Sequence, residues 1–196
     1  MELQTIPLHS PLELTLELTD EQFFQLCQDN RDLRFERTAS GGLIIMPPTG
    51  SETGNFNIDL SYQLQSWSRQ NKHLGIAFDS STGFKLPDGT DISPDGAWIR
   101  RDRWDALTAE EKKKFAPICP DFVVELRSTT DSLEKLRAKM KVYVKNGARL
   151  GWLLDRKNRK VEISRQGSDV EILDSPATLS GEDVLPGFVL DLSDIL

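Results

Sequence analysis

Residues 119–127 read CPDFVVELR, and the interpretation of this segment decides the fold. Phe122–Leu126 is a short, β-branched apolar run, the pattern of a buried strand. Strand periodicity puts Phe122, Val124 and Leu126 on one face and Val123, Glu125 and Arg127 on the other. A strand this apolar is covered on both sides, yet Glu125 interrupts it with a carboxylate. Taking an ionised acid out of water costs several kcal/mol unless a cation or good donors compensate. Two readings follow. Glu125 pairs with a nearby base, Arg127 on the same face being the obvious candidate, or it belongs to a site built to hold a cation.

Asp95 bears on that choice. It lies in Ser93-Pro94-Asp95-Gly96, where Pro and Gly fix the backbone ahead of the strand-like AWI. Taken alone it is a turn aspartate, a common feature. An acid before one strand and an acid inside another are also a usual way to gather oxygen ligands around Mg²⁺, which takes one or two carboxylates and fills its shell with water and phosphate oxygens. Asp121, in a second Pro-Asp pair, shares a face with Glu125 but stands about 13 Å away at strand rise, too far to share one ion.

Outward from these acids the chain alternates strands and helices, which predicts an α/β class with a mixed sheet. The first 20 residues read as an irregular lead-in. Thr19 or Asp20 caps a short helix through Glu21–Gln28. LRFER and LIIMP form two strands around Ser40-Gly41-Gly42, and a helix over about Thr53–Asn71 carries Phe56, Leu60, Leu64 and Trp67. LGIAF, TGFKL and DISPDGAWI supply short strands, and a polar stretch with Trp104 and Leu107 leads to the central strand. Asp131 with Glu134 suggests a capping box for a helix that stops at Asn146-Gly147. LGWLLD and KVEIS make a hairpin around Arg156–Arg159, with VEIL as an edge strand.

The bulk numbers narrow the classes. A chain of 196 residues with 38% hydrophobic and 28% charged residues fits one globular domain, residues 1–196. No apolar run reaches the roughly 18 residues of a membrane span. The acidic N-terminus predicts no signal peptide, and two cysteines without bridge-like spacing predict a reduced, cytoplasmic protein. His9 and His73 are the only histidines, which argues against a zinc site or a histidine-based triad. There is no glycine-rich phosphate loop. The net charge is -7, yet Arg127–Arg165 holds 12 basic against 4 acidic residues, a distribution that fits either one basic face for phosphates or a solvated helix and turn.

Pro94-Asp95 followed by Glu125-Leu126-Arg127 resembles the PD-(D/E)XK signature of restriction-type nucleases, with Arg127 where a lysine is expected. SPDGAWI, CPDFVVELRS and DxxxxLxxKMxxY…NGARLGWLLD together resemble the Uma2 family, from about Arg31 to LSGEDVLPGF. The resemblance implies a restriction-endonuclease-like mixed β-sheet core flanked by helices. It implies metal ligands Glu36, Asp95 and Glu125 for Mg²⁺ or Mn²⁺, and a catalytic lysine moved to the following helix, matched by Lys139. Helix geometry places Lys139 beside the stripe Leu133, Leu136, Met140, Tyr143 and Val144, on the Tyr143 flank, from which it can snorkel toward Glu125.

The activity implied is metal-dependent endonucleolytic hydrolysis of DNA, with Arg127 pairing Glu125 or clamping phosphate. Cutting both strands with one site per domain implies a homodimer. Trp98, Trp104 and Trp152 are interface candidates, though each also suits a core. The rival expectation is a binding or assembly protein that keeps the nuclease fold without its chemistry.

Overall fold

The computed structural model describes residues 12–46 and 48–196, with backbone alone at Leu12 and Glu13. The expected lead-in over residues 1–11, His9 included, lies outside the described residues, as does Pro47 at the end of LIIMP.

The chain opens with β1 (Leu12–Thr15), α1 (Asp20–Asp29), β2 (Arg34–Arg37) and β3 (Gly42–Met46). The lead-in is therefore not irregular throughout, because β1 pairs antiparallel with β3, Leu14 opposite Leu43. An edge strand held by such pairing needs no strong local signal of its own. Thr19 caps α1 in a reciprocal box with Gln22, which satisfies two of the helix's free N–H groups. Then follow α2 (Ser51–Gln70), β4 (Gly75–Asp79), β5 (Phe84–Lys85), β6 (Asp91–Ile92) and β7 (Gly96–Arg100). The polar stretch is not irregular either but folds as α3 (Arg101–Asp105) and α4 (Ala109–Lys113), the second capped by Thr108 and Glu111.

Next come β8 (Phe122–Leu126), α5 (Leu133–Lys145), β9 (Leu150–Asp155), β10 (Lys160–Arg165), β11 (Glu171–Asp174), β12 (Thr178–Ser180) and β13 (Val189–Asp191). The expected cap of α5 is corrected. Ser132, not Asp131, accepts from the Lys135 N–H, while the Asp131 carboxylate takes the Ser128 N–H at 2.8 Å and closes the preceding turn. The stop at Asn146-Gly147 is as expected, Gly147 taking a positive φ of 110°.

Six strands form the main sheet in the order β11-β10-β9-β8-β7-β4, and β8 lies at its centre. It pairs antiparallel with β7 and parallel with β9, and α5 is the crossover that a parallel neighbour requires. The two predicted faces of β8 enter two different cores. Phe122, Val124 and Leu126 pack with Leu60 and Leu64 of α2 and with the C-terminal Leu185, Phe188 and Leu190. Val123 faces Met140 and Tyr143 of α5. Missing side chains leave room for the packing around β8: a Cβ on Gly96 would stand 3.0 Å from Val124 Cγ1 of that strand, and one on Gly151 would collide with Met140 of α5. A second sheet, β1-β3-β2-β6-β5, brings β2 and the loop after β6 toward the end of β8. Among the described residues no helix is long and apolar enough to cross a membrane.

Candidate active site

Asp95 directly precedes β7, whose first pair across the sheet is Gly96 with Val124. One register step further, Asp95 therefore stands opposite Glu125, at the end of the central strand. Its Oδ2 accepts the Leu126 N–H at 2.8 Å, a bond that fixes the carboxylate against the strand. Its Oδ1 faces Asn57 Nδ2 of α2 at 3.4 Å. Glu125 points to the α5 side, 3% exposed. There its Oε1 meets the Lys139 ammonium at 2.9 Å and accepts the Tyr143 hydroxyl at 2.9 Å.

Glu36 arrives from β2 of the second sheet. Its Oε1 lies 2.9 Å from Lys139 Nζ and accepts the Ser93 N–H at 3.1 Å, while Ser93 returns its carbonyl to Lys139 at 3.0 Å. The ammonium thus lies between Glu36 and Glu125, and the structure brings Glu36, Asp95, Glu125 and Lys139 to one place. Lys139 and Tyr143 reach it together because residues four apart share a helix face.

Arg127 does not join them. The expected pair with Glu125 is absent. Arg127 Nη1 instead holds both oxygens of buried Asp155, at 2.9 and 3.0 Å, and its Nε donates to the Asp131 carbonyl. Asp121 is likewise occupied elsewhere, accepting the Arg100 N–H and pairing with Arg103. Part of the basic segment is engaged within the fold: Arg137 pairs with Glu162, Arg149 with Asp183, Lys160 with Asp174 and Arg165 with Glu171 and Glu182, while Lys135, Lys141, Lys145 and Lys157 are exposed. Arg156 stacks on Phe56 and donates to the Ile195 carbonyl, so the RKNRK turn helps to dock the C-terminal segment. Of the three tryptophans, Trp98 and Trp152 take the core places that also suited them, and partly buried Trp104 packs on Phe78.

Three carboxyls face one ammonium in this cleft. Burial pushes the Glu125 carboxyl up to about 8 against the pull of Lys139, with Asp95 and Glu36 adding to the rise. Burial raises Asp95 as well, opposed by the Leu126 N–H, Lys139 and Arg34. Burial alone would lower Lys139, but Glu125, Glu36 and Asp95 outweigh it and hold the ammonium well above the ordinary lysine range. Lys139 therefore stays charged, and Glu125 relieves the surplus of negative charge by keeping its proton.

That surplus gives a prediction. Folded Glu125 keeps its proton to about 8, whereas the unfolded residue loses it near 4.5. The folded state then binds the extra proton between those values, so this group lowers stability as pH rises through them. Glu125→Gln keeps an acceptor for Lys139 and Tyr143 but removes the titration. Metal-free, it should match the parent near pH 5 and gain on it by up to about 4 kcal/mol by pH 8. Parallel stability–pH curves from denaturant melts would show that Glu125 ionises normally in the fold.

The donors suit a hard divalent ion. All three carboxyls ionised against one ammonium leave two negative charges, which one such ion balances, and Asp95 with Glu125 supply the one or two carboxylates that Mg²⁺ takes. Among the described residues no three His, Cys, Asp or Glu side chains close on one point as ligands. Glu36 and Glu125 each turn Oε1 to the ammonium, at 2.9 Å.

The sequence reading passed over two of the groups now in the site. Tyr143 was read only as part of the apolar stripe. Asn57 had a signal: it lies at helical spacing from Leu60 and Leu64, a polar residue on a buried face.

The fold recurs in a solved structure. A solved structure described as "Crystal structure of a putative nuclease belonging to DUF820 from Anabaena variabilis ATCC 29413" superposes with a TM-score of 0.72 at 20% identity, covering 91% of this chain and 97% of that one. At that identity the likeness carries the fold. No curated protein matches the chain. The family model described as "Putative restriction endonuclease" matches residues 20–193, a span that takes in the whole main sheet and every side chain of the cleft. On that match, the chain belongs to the Uma2 family.

Proposed function

We propose that this protein is a Mg²⁺- or Mn²⁺-dependent endonuclease that hydrolyses phosphodiester bonds in DNA. The observation that carries the reading is the Lys139 ammonium, 2.9 Å from the central-strand Glu125, beside an Asp95 that remains partly open to solvent. Asp95 and Glu125 hold the ion with carboxylate oxygens. Bound there, a divalent ion supplies Lewis-acid polarisation of a scissile phosphate and acidifies an attacking water. Lys139 remains an ammonium and donates to the phosphate or to the incoming water, at the point where negative charge develops. Glu36 and the Ser93 carbonyl aim it, and Tyr143 orients Glu125. Arg127, engaged by Asp155, ties the ends of β8 and β9 together. Cutting both strands calls for two copies of the site, so the reading includes a homodimer, which light scattering checks.

The test is cleavage of supercoiled plasmid and single-stranded DNA with Mn²⁺, run beside Asp95→Ala. Cutting by the parent that needs Mn²⁺ and vanishes in the variant is the expected result. No cutting by the parent, and no Mn²⁺ response in its melting temperature, would favour a binding or assembly protein on the nuclease fold.

A further inference from the structure

Asn57 is 8% exposed on the face of α2 that packs on the main sheet, and its amide nitrogen is turned to Asp95. That contact settles which end of the amide faces the carboxylate. The other end, Oδ1, is buried with no hydrogen-bond partner among the described residues. Buried acceptors are almost always paired, and one left without a donor calls for an explanation. The other buried side-chain atoms in this condition, Trp98 Nε1 and Trp152 Nε1, belong to rings packed in the apolar core. Asn57 Oδ1 alone belongs to a side chain that touches the acid cleft.

We propose that Asn57 Oδ1 is a third protein oxygen for the divalent ion held by Asp95 and Glu125. The proposal rests on the metal-dependent reading and extends it to a residue from the opposite face of the sheet. An amide carbonyl is an ordinary ligand for hard cations. It adds no charge to a cleft whose carboxyls already outnumber its ammonium, and its burial without a donor is relieved when the ion is present. Asn57 lies on the same buried face of α2 as Leu60 and Leu64, about one turn before Leu60.

The experiment titrates MnCl₂ into the metal-free full chain and reads binding by calorimetry and by the rise in melting temperature. Parent, Asn57→Leu, Asn57→Ala, Asn57→Asp and Asp95→Ala are compared. Without metal, Asn57→Leu should melt at or above the parent, since it removes an unpaired buried acceptor. Its Mn²⁺ affinity should fall by about 10- to 100-fold, a loss of the size seen when groups that support a metal site are removed. Asn57→Ala should fall likewise, which covers the case of a leucine too large for the site. Asn57→Asp should bind at least as tightly as the parent. Parent-like affinity in both removal variants, with binding lost in Asp95→Ala, overturns the role of Asn57 and leaves the metal-dependent reading standing. A parent that binds no Mn²⁺ overturns both.

Discussion

Lys139→Met should lose at least about 100- to 1,000-fold in cleavage rate, the range seen when one donor to developing charge is removed. The same variant should lose stability, because it leaves Glu36 and Glu125 buried without the cation that each meets at 2.9 Å. Breaking a buried pair from one side costs about 3–5 kcal/mol. The pH dependence has a definite sign. Without the ammonium, nothing from Lys139 opposes the burial that raises Glu125, so this carboxyl is pushed further toward its protonated form in the folded state. The parent already keeps its Glu125 proton to about 8, so this group should add little to the penalty near pH 5 and more by about pH 9, once the parent has lost that proton. Lys139 itself, raised by the acids, contributes throughout this window, since its share is lost only above the ordinary lysine range. Mn²⁺ should still bind, because Asp95 and Glu125 remain. Denaturant melts at the two pH values and a plasmid assay check all three statements. Retained cleavage would return the catalytic cation to another residue.

Arg127→Met should cost about 3–5 kcal/mol as well, for a reason unrelated to chemistry. Asp155 is 2% exposed and depends on Arg127 and Asn158. Burial would raise its carboxyl, but the bonds from Asn158 and Arg127 hold it below the usual range. That stabilisation is present above the ordinary aspartate value and disappears as pH falls through the folded one. Removing the guanidinium strands a buried charge at the ends of β8 and β9, where the Arg127 N–H also bonds the Leu154 carbonyl at 3.0 Å. Arg127→Met/Asp155→Leu should recover much of the loss, so the double-mutant cycle should show strong coupling. Melting temperatures unchanged by Arg127→Met would mean that the guanidinium is free for substrate after all.

The two variants explain the substitution that sets this chain apart from its signature. On the proposed reading the catalytic cation comes from α5, which would leave the position after Glu125-Leu126 free for the ion pair that Arg127 makes with Asp155. The sequence contained both residues, but Asp155 lies 28 positions from Arg127. Nothing in local spacing distinguishes Asp155 from Glu125 as its partner.

Local rules were enough wherever the cause of a feature is local. The period of 2 along Phe122–Leu126 assigned each side chain to the correct core, because successive Cβ atoms in a strand point to opposite faces. The start of α1 at Thr19 or Asp20, the glycine stop after α5 and the apolar spacing of α2 were legible for the same reason. The site acids were legible in part. Glu125 is conspicuous as a charge within an apolar strand, whereas Glu36 and Lys139 were chosen only through the resemblance to Uma2. What the tertiary structure alone decided is how ends of elements meet. Pairing in the second sheet turns residues 12–15 into a strand and carries Glu36 to Lys139, while the packing of α2 on Gly96 brings Asn57 to Asp95. Ion-pair partners fall in this class too. A charge pairs with whichever opposite charge the folded backbone sets within reach, and sequence distance places almost no limit on that choice.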